Sequence, residues 1–256
     1  MIDIHSHILP DLDDGSKSWD MTLAMCRLAL QHGTTHIVAT PHANDTYTYS
    51  RDQVRNLVNE LDHRISGVVQ LAFSIGCDFH LSYENIEDAI AHPRRYTIAA
   101  KQYLLVEHSD YGIPPQIDDG LSRLQEAGMI PIITHPERNG ILQKRPERIL
   151  EWVNSGCLVQ ITASSVIGAW GNTAQRIATW LLERNAVHVI ASDAHDDKHR
   201  KPILSEARDA VSRHFGTDFA QALVLENPAA IVAGLSLPSS REISRDTSQK
   251  FLDKIG

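Results

Sequence analysis

The amino-acid sequence predicts an α/β fold, in which seven parallel strands form a TIM-like barrel with a site at the carboxyl ends of the strands. Short apolar segments typical of strands alternate with segments of helical periodicity, which favours a parallel sheet. All but one of the strand-like segments end in a potential metal ligand, and ligands spread over nearly every strand favour a ring over an open sheet with a single crevice. The length of 256 residues and the 42% hydrophobic content suit one such barrel and its core.

The first strand is the segment Met1-Ile2-Asp3-Ile4-His5-Ser6-His7. Side chains alternate with period two along a strand, so His5 and His7 point to the same face at its carboxyl end, where two imidazoles can bind one cation. The spacing alone is weak support, because the chain contains 14 histidines.

The six further predicted strands follow the same arrangement, and five of them lead into a candidate ligand. They are residues 35–40, followed by His42; 70–76, followed by Asp78; 103–106, followed by Glu107; 129–134, followed by His135; 157–162, with no ligand; and 186–192, followed by Asp193 and His195. The carboxyl ends of successive parallel strands converge on one mouth, so these side chains are expected to meet there.

Helical periodicity fills the intervals between the strands. The predicted helices are 18–32, with Ser18 as the N-cap and Gly33 as the stop, 51–65, 117–127, 146–154, 173–185, 202–215 and 218–235, the last with a break at Asn227-Pro228. Residues 1–235 are therefore expected to form a single barrel domain. Residues 236–256 are polar and of mixed charge, and they are expected to be a loosely held tail.

Composition excludes several classes of function. No apolar run is long enough to span a bilayer and no signal peptide is visible, so a cytoplasmic protein without membrane insertion is expected. A formal charge of −8 argues against a nucleic-acid partner. The three cysteines suit a reducing compartment. A phosphocysteine mechanism needs Arg six positions after Cys, and His32, Tyr83 and Ala163 occupy those positions.

The candidate ligands, taken in chain order and together with Asp14 of the Asp13-Asp14-Gly15 run, resemble the pattern of a known superfamily. Segments 1–10, 38–42, 134–138 and 187–195 and the late Glu226-Asn227-Pro228 are similar to the polymerase and histidinol phosphatase (PHP) superfamily. The likeness is strongest to the CpsB/YwqE-type tyrosine-protein phosphatases of bacterial polysaccharide export systems, and it covers about residues 1–235. It implies a distorted seven-stranded barrel and a metal-dependent phosphoesterase.

The resemblance also implies three divalent ions, with manganese first and iron or zinc as alternatives, since the ligands are oxygen and imidazole. The implied sets are His5, His7 and Asp193; Glu107 and His135; and Asp14, His42 and His195. Asp78 stands where the family usually has a bridging Glu. Because Asp is one methylene shorter, it is expected to bridge less symmetrically or to bind a single ion.

A metal cluster suits phosphomonoester hydrolysis, because it neutralises the phosphoryl oxygens and activates a water at neutral pH. Arg138 and Arg200 follow ligand residues on loops at the same mouth, and each offers a planar fork matched to phosphate. We therefore predict them as catalytic residues. Tyr47 and Tyr49 are candidates for stacking on a phosphotyrosine ring, and the nine histidines outside the ligand set are expected to have core or surface roles.

The predicted function is hydrolysis of phosphotyrosine on a bacterial tyrosine autokinase of capsular or exopolysaccharide biosynthesis. One alternative is a PHP phosphatase of a small molecule such as histidinol phosphate, which would have the same metal site. Another is an amidohydrolase-like or deoxyribonuclease barrel, which usually lacks the late Asp-x-His pair; no strand-end Lys is present here for carbamylation. The third is a non-catalytic PHP module, which usually loses several ligands, whereas every position is kept here.

Overall fold

The strands are short and all of their pairings are parallel, as the sequence predicts. The computed structural model describes residues 1–67, 70–109, 112–113 and 116–238, so most of the predicted tail lies outside the described residues. The described strands are β1 (Ile2–Ser6), β2 (His36–Ala39), β3 (His42–Ala43), β4 (Ala72–Ile75), β5 (Asp78–His80), β6 (Tyr103–Glu107), β7 (Ile130–Thr134), β8 (Leu158–Thr162) and β9 (Val189–Ala191).

Helices connect the strands, and all seven predicted helices are present. The α-helices are α1 (Trp19–Gln31), α2 (Arg51–Ile65), α3 (Tyr83–Ala91), α4 (Pro93–Tyr96), α5 (Ile117–Glu126), α6 (Glu147–Asn154), α7 (Ala163–Val166), α8 (Asn172–Glu183), α9 (Ser205–Phe215), α10 (Thr217–Gln221) and α11 (Asn227–Ala233). Short 3-10 turns lie at Ile98–Ala100 and Leu142–Lys144, and a π-helical turn at Ala222–Glu226 joins α10 to α11.

The predicted helix ends can be compared with the contacts and backbone angles in the structure. The Ser18 hydroxyl accepts a hydrogen bond from the Met21 N–H, as expected of an N-cap, and Gly33 follows the end of α1 with a φ of +83°. At the predicted break, Asn227-Pro228, the backbone is helical and α11 begins; the irregularity lies just before it, in the π-helical turn Ala222–Glu226. The predicted start of α9 at Pro202 is wrong by three residues, and no helix was predicted at α3, α4 or α7.

The strands form two sheets among the described residues. Strands β1, β2 and β4 form one sheet, and β3, β5, β6, β7, β8 and β9 form the other. The predicted strands 35–40 and 70–76 each continue, after a break, into a short segment that belongs to the second sheet, β3 and β5 respectively. Pro41 lies at the first break and has no N–H to donate. The α/β class and the parallel strands are thus confirmed, whereas the strand pairings of the described residues do not form one continuous ring.

The first strand also contacts the far edge of the large sheet. Ser6 bridges Ala194, just beyond β9, in parallel, and the N–H of Asp193 donates to the His5 carbonyl at 2.9 Å. The buried Asp3 carboxylate accepts from the backbone and hydroxyl of Ser192 at 3.0 and 2.5 Å. These bonds hold the start of the chain against the segment that follows β9.

Alternate strand residues face two apolar cores. A large core lies between the strands and the helices and includes Leu104, Val106 and Ile133. The smaller core combines buried residues of both sheets with Ile98 of the 3-10 turn and Ile231 of α11; its sheet members are Ile2, Ile4, Val38, Tyr103, Leu105, Ile132, Val189 and Ala191. Among the described helices, none combines the length and apolarity that crossing a membrane requires.

Candidate metal centre

The nine predicted ligands lie together at the carboxyl ends of the strands. Their side chains form four overlapping groups, in each of which the candidate ligand atoms lie within 4.8 Å of one another. The groups are His5, His7 and Asp193; His5, Asp78 and His135; His42, Asp78 and Glu107; and His7, Asp14, His42 and His195. Shared members make these groups one continuous cluster of imidazoles and carboxylates.

Most of the candidate ligands lie in a strand or just beyond its carboxyl end. His5 lies in β1 and His7 just beyond it, while His42 and Asp78 open β3 and β5 and are register partners. Glu107 ends β6, and His135, Asp193 and His195 lie just past β7 and β9. His135 and Asp193 have positive φ angles of 34° and 52°, which non-glycine residues seldom adopt and which often mark functional sites.

Three histidines have a fixed orientation because one ring nitrogen is occupied by an acceptor. The Nδ1 of His5 lies 2.9 Å from Oε1 of Gln160, and that of His7 lies 2.6 Å from Oδ2 of Asp13. The Nδ1 of His195 lies 3.0 Å from the Asp193 carbonyl. Because these oxygens only accept, the Nδ1–H donates and the lone pair stays on Nε2, which is the usual arrangement around a metal-binding imidazole.

Asp78 lies fully buried between two histidines. Its Oδ2 is 3.4 Å from Nε2 of His5 and 3.1 Å from Nδ1 of His42. Neither carboxylate oxygen accepts a well-aligned hydrogen bond in the described part of the chain, and Nδ1 of His42 and Nε2 of His195 also lack one. Buried polar atoms of this kind normally have partners, so the donor set fits a bound cation.

The electrostatics of the side chains in the cluster agree with this assignment. Burial alone would lower the pKa of His5, but the carboxylates of Asp78 and Asp193 raise it to about 9. Burial would likewise lower the pKa of His42, but the nearby carboxylates of Asp14 and Asp78 outweigh that effect and raise the pKa to about 11. A concentration of carboxylates that favours protonated imidazoles would equally favour a divalent ion in their place.

Not every histidine is shifted upward. Burial and the neighbouring Arg138 hold the pKa of His135 well below its usual range. Burial and the adjacent His7 lower the pKa of His195 to about 4. These two imidazoles are therefore neutral near pH 7, which is the form that binds a metal.

The two predicted arginines lie beside the cluster and both contact Asp193. Arg138 donates to Asp193 Oδ2, and Arg200 donates to the same oxygen at 2.5 Å. The other oxygen, Oδ1, lies 3.4 Å from Nε2 of both His5 and His7. Asp193 thus presents one oxygen to the histidines and the other to the arginines.

A cavity of about 360 Å³ opens next to the cluster. Asp14, His42 and Glu107 line it together with Tyr47 and His80. The Tyr47 ring lies parallel to the His42 ring, with centroids 6.0 Å apart. The other tyrosine considered for stacking, Tyr49, is instead 5% exposed and donates its hydroxyl to the Gly76 carbonyl, so it belongs to the core.

Sequence reasoning missed several residues that support the site. Gln160 comes from β8, the strand predicted to contribute no ligand, and it orients His5 instead. Asp13 orients His7, although only its neighbour Asp14 was expected to matter. His80, expected in a core or surface role, lines the cavity with Nδ1 3.9 Å from Glu107 Oε2. The Asp13-Asp14-Gly15 run was the sequence signal that could have pointed to Asp13. Only glycine fits at position 15, because a Cβ there would lie 2.2 Å from the His7 carbonyl oxygen.

The fold and the cluster together define an α/β protein with a group of candidate metal ligands at the carboxyl ends of parallel strands. Residues 1–233 match the model of the family described as "Capsular polysaccharide synthesis, CpsB/CapC". The chain belongs to this family.

Characterised relatives agree with that membership. The tyrosine-protein phosphatase YwqE of Bacillus subtilis (strain 168) is 33% identical over 220 residues, 85% of this chain and 86% of YwqE. The tyrosine-protein phosphatase CpsB of Streptococcus pneumoniae is 30% identical over 245 residues, 91% of this chain and 98% of CpsB.

Solved structures extend the comparison. A crystal structure from the pair YwqE of Bacillus subtilis and CpsB of Streptococcus pneumoniae, described as unique metal-dependent tyrosine phosphatases, superposes with a TM-score of 0.87 at 30% identity, covering 94% of this chain and 100% of that one. A dihydropyrimidinase from Brevibacillus agri matches with a TM-score of 0.54 at 12% identity, over 93% of this chain and 73% of its own, which reflects the fold alone.

Proposed function

We propose that this chain is a metal-dependent protein-tyrosine phosphatase. The observation that carries the proposal is the convergence of all nine candidate ligands and both arginines at one mouth. The naming of YwqE and CpsB as tyrosine-protein phosphatases supports the same reaction for this chain.

We assign the site three divalent ions, with manganese first and iron or zinc as alternatives. His5, His7 and Asp193 would hold one ion, Glu107 and His135 a second, and Asp14, His42 and His195 a third, with Asp78 between them. Such ions supply Lewis-acid charge for the phosphoryl oxygens and a water of lowered pKa.

The residues of the chain itself bind and orient the substrate in this mechanism. Arg138 and Arg200 meet the phosphoryl oxygens with planar N–H forks, which match a tetrahedral anion better than a point charge does. Asp193 holds both guanidinium groups next to the ligand histidines. The Gln160 and Asp13 oxygens keep the Nε2 atoms of His5 and His7 directed at the cluster.

The proposed barrel and the proposed domain bounds are supported by separate observations. The apolar core shared by both sheets, with the contact between β1 and the end of β9, supports a distorted seven-stranded barrel in which β2 with β3 and β4 with β5 each count as one broken strand. The family match over residues 1–233 supports a single domain at 1–235 followed by a tail.

The family's description in capsular polysaccharide synthesis supports a tyrosine autokinase of that process as the phosphoprotein substrate. Three free, buried cysteines support a cytoplasmic location.

The test is a comparison of steady-state rates on a phosphotyrosine peptide, a phosphoserine peptide and histidinol phosphate, each with manganese and with chelator. We expect manganese-dependent hydrolysis that is fastest on the phosphotyrosine peptide. Preference for histidinol phosphate would favour a small-molecule phosphatase, and absence of hydrolysis in the metal-loaded protein would favour a non-catalytic module.

A further inference from the structure

An exposed tryptophan lies against the two arginines of the candidate site. The ring centroid of Trp170 is 3.7 Å from Cζ of Arg138 and 5.4 Å from Cζ of Arg200. Its side chain is 39% exposed, one of the few large apolar side chains at the surface of the described residues. The indole therefore lies within cation–π distance of the two cationic side chains that the proposed mechanism uses for phosphate.

The backbone fixes this tryptophan in place. It lies in the short connection between α7 and α8, flanked by Gly168 and Gly171, whose φ angles are 83° and 97°. The Gly171 N–H donates to the Gly168 carbonyl at 3.0 Å, and the Trp170 N–H donates to the Ser164 carbonyl at 3.3 Å. Positive φ angles favour glycine, so this turn suits its sequence.

The arginines need such support because they repel one another. Both donate to the same oxygen of Asp193, which brings two positive charges together at one atom. An aromatic face attracts a guanidinium through its quadrupole and stacks flat against it. The Nε atoms of Arg138 and Arg200 are buried without a hydrogen-bond partner in the described residues, so each guanidinium has an unpaired N–H.

We propose that Trp170 is a positioning residue that holds the guanidinium groups of Arg138 and Arg200 side by side to receive the phosphoryl group. The inference rests on the proposed phosphatase function and deepens it. The turn at residues 168–171 keeps the indole over Arg138. The backbone ties each arginine to a ligand histidine, through Arg138 N–H to His135 O at 3.0 Å and His195 N–H to Arg200 O at 2.9 Å.

The test compares Trp170→Leu, which removes the π face, with Trp170→Phe, which keeps one. The matched control is Trp180→Leu on α8, because Trp180 also stacks on an arginine, Arg184, at 4.1 Å, and Arg184 is not a member of the cluster. For each manganese-loaded variant, the Kd of inorganic phosphate is measured by calorimetry, and kcat and KM are measured on p-nitrophenyl phosphate and on a phosphotyrosine peptide.

We expect Trp170→Leu to weaken phosphate binding and to lower kcat/KM on both substrates by about twofold to 30-fold, the range that cation–π energies span. Trp170→Phe should retain most of both, and Trp180→Leu should match wild type. A wild-type phosphate Kd in Trp170→Leu would overturn the inference. So would a loss confined to the peptide, because it would mean that Trp170 contacts the peptide instead of the arginines.

A double-mutant cycle provides the sharper discrimination. If Trp170 acts through Arg138, adding Trp170→Leu to Arg138→Ala should cost little more than Arg138→Ala alone. Full multiplication of the two losses would contradict the proposed role. If wild type hydrolyses no phosphomonoester, the phosphatase proposal fails, while the phosphate Kd of the same variants still decides the role of Trp170.

Discussion

Asp13 provides the sharpest test of how this site is built, because it belongs to none of the proposed ligand sets yet hydrogen-bonds a proposed ligand, His7. Its Oδ2 lies 2.6 Å from His7 Nδ1 and accepts the His42 N–H at 3.1 Å, and its Oδ1 accepts the Gly15 N–H at 2.9 Å. Burial raises the pKa of Asp13, but the charge and hydrogen bond of His7 bring it down to about 2. The carboxylate is thus ionised whenever the protein is folded near neutral pH.

The expected magnitudes follow from these three bonds. In Asp13→Asn, the amide oxygen can still accept from His7 and His42, while the NH₂ group cannot accept from Gly15. We expect manganese affinity to fall by about tenfold, the lower end of the range for partners of ligand histidines. Asp13→Ala leaves three buried donors without an acceptor, so we expect a loss of about 100-fold and destabilisation of about 1–3 kcal/mol for each orphaned donor.

The assay is calorimetric titration of chelator-stripped protein with Mn²⁺, together with urea unfolding. Asp11→Asn is the matched control, since Asp11 is an exposed neighbour with a φ of 57°, an angle that Asn tolerates. Unchanged manganese affinity in both Asp13 variants would refute the reasoning, because His7 would then keep its orientation without this carboxylate.

Three further predictions test the ligands and the arginines. Asp78→Ala should lower metal content, measured by elemental analysis, whereas Asp78→Glu should retain activity; full metal content and rate in the Ala variant would remove Asp78 from the ligand set. Arg138→Ala and Arg200→Ala should each lower kcat by roughly 10²-fold to 10³-fold, with Lys restoring only part of the rate; wild-type kcat in both would mean that the metals alone bind the phosphate. The metal-free protein should lose stability as pH rises. The folded pKa of His5, about 9, lies above its ordinary value of 6.5, so its contribution is complete below pH 6.5 and is lost as pH approaches 9. Urea unfolding with chelator should show this loss, to which His5 contributes on the order of 3 kcal/mol, and the manganese-loaded protein should not show it.

The strand-end positions of the ligands could be predicted from sequence, because side-chain alternation and parallel topology determine which residues reach the mouth. The change of sheet between β2 and β3 and between β4 and β5 could not, although Pro41 marks where the first of these breaks lies. The strand-like sequence pattern runs on to Thr40 and Gly76. The point at which a strand changes sheet depends instead on tertiary hydrogen bonds, such as that from Gly76 N–H to Ala39 O at 2.9 Å. Periodicity does not report such bonds.

Helix α3 was missed for a related reason. Only Ile86 and Ala89 of its nine residues are buried, so the apolar stripe is too short to recognise. Its N-cap, Ser82, accepts from the Asn85 N–H at 3.2 Å, which was the one local signal available. A two-residue apolar face is also compatible with a loop, and only packing against α5 distinguishes the two.

The role of Asp193 shows why ligand prediction stops short of mechanism. Spacing after a strand predicts that a carboxylate reaches the mouth, but not which of its oxygens meets which partner. Here Oδ1 faces His5 and His7, while Oδ2 accepts from Arg138 and Arg200. Without metal, the two arginines therefore neutralise Asp193. An Ala variant of either one removes one of the two positive charges that face this buried carboxylate. We infer that these variants lose stability without metal and regain it with manganese, so melting temperatures measured in both states separate the structural contribution of the arginines from their contribution to turnover.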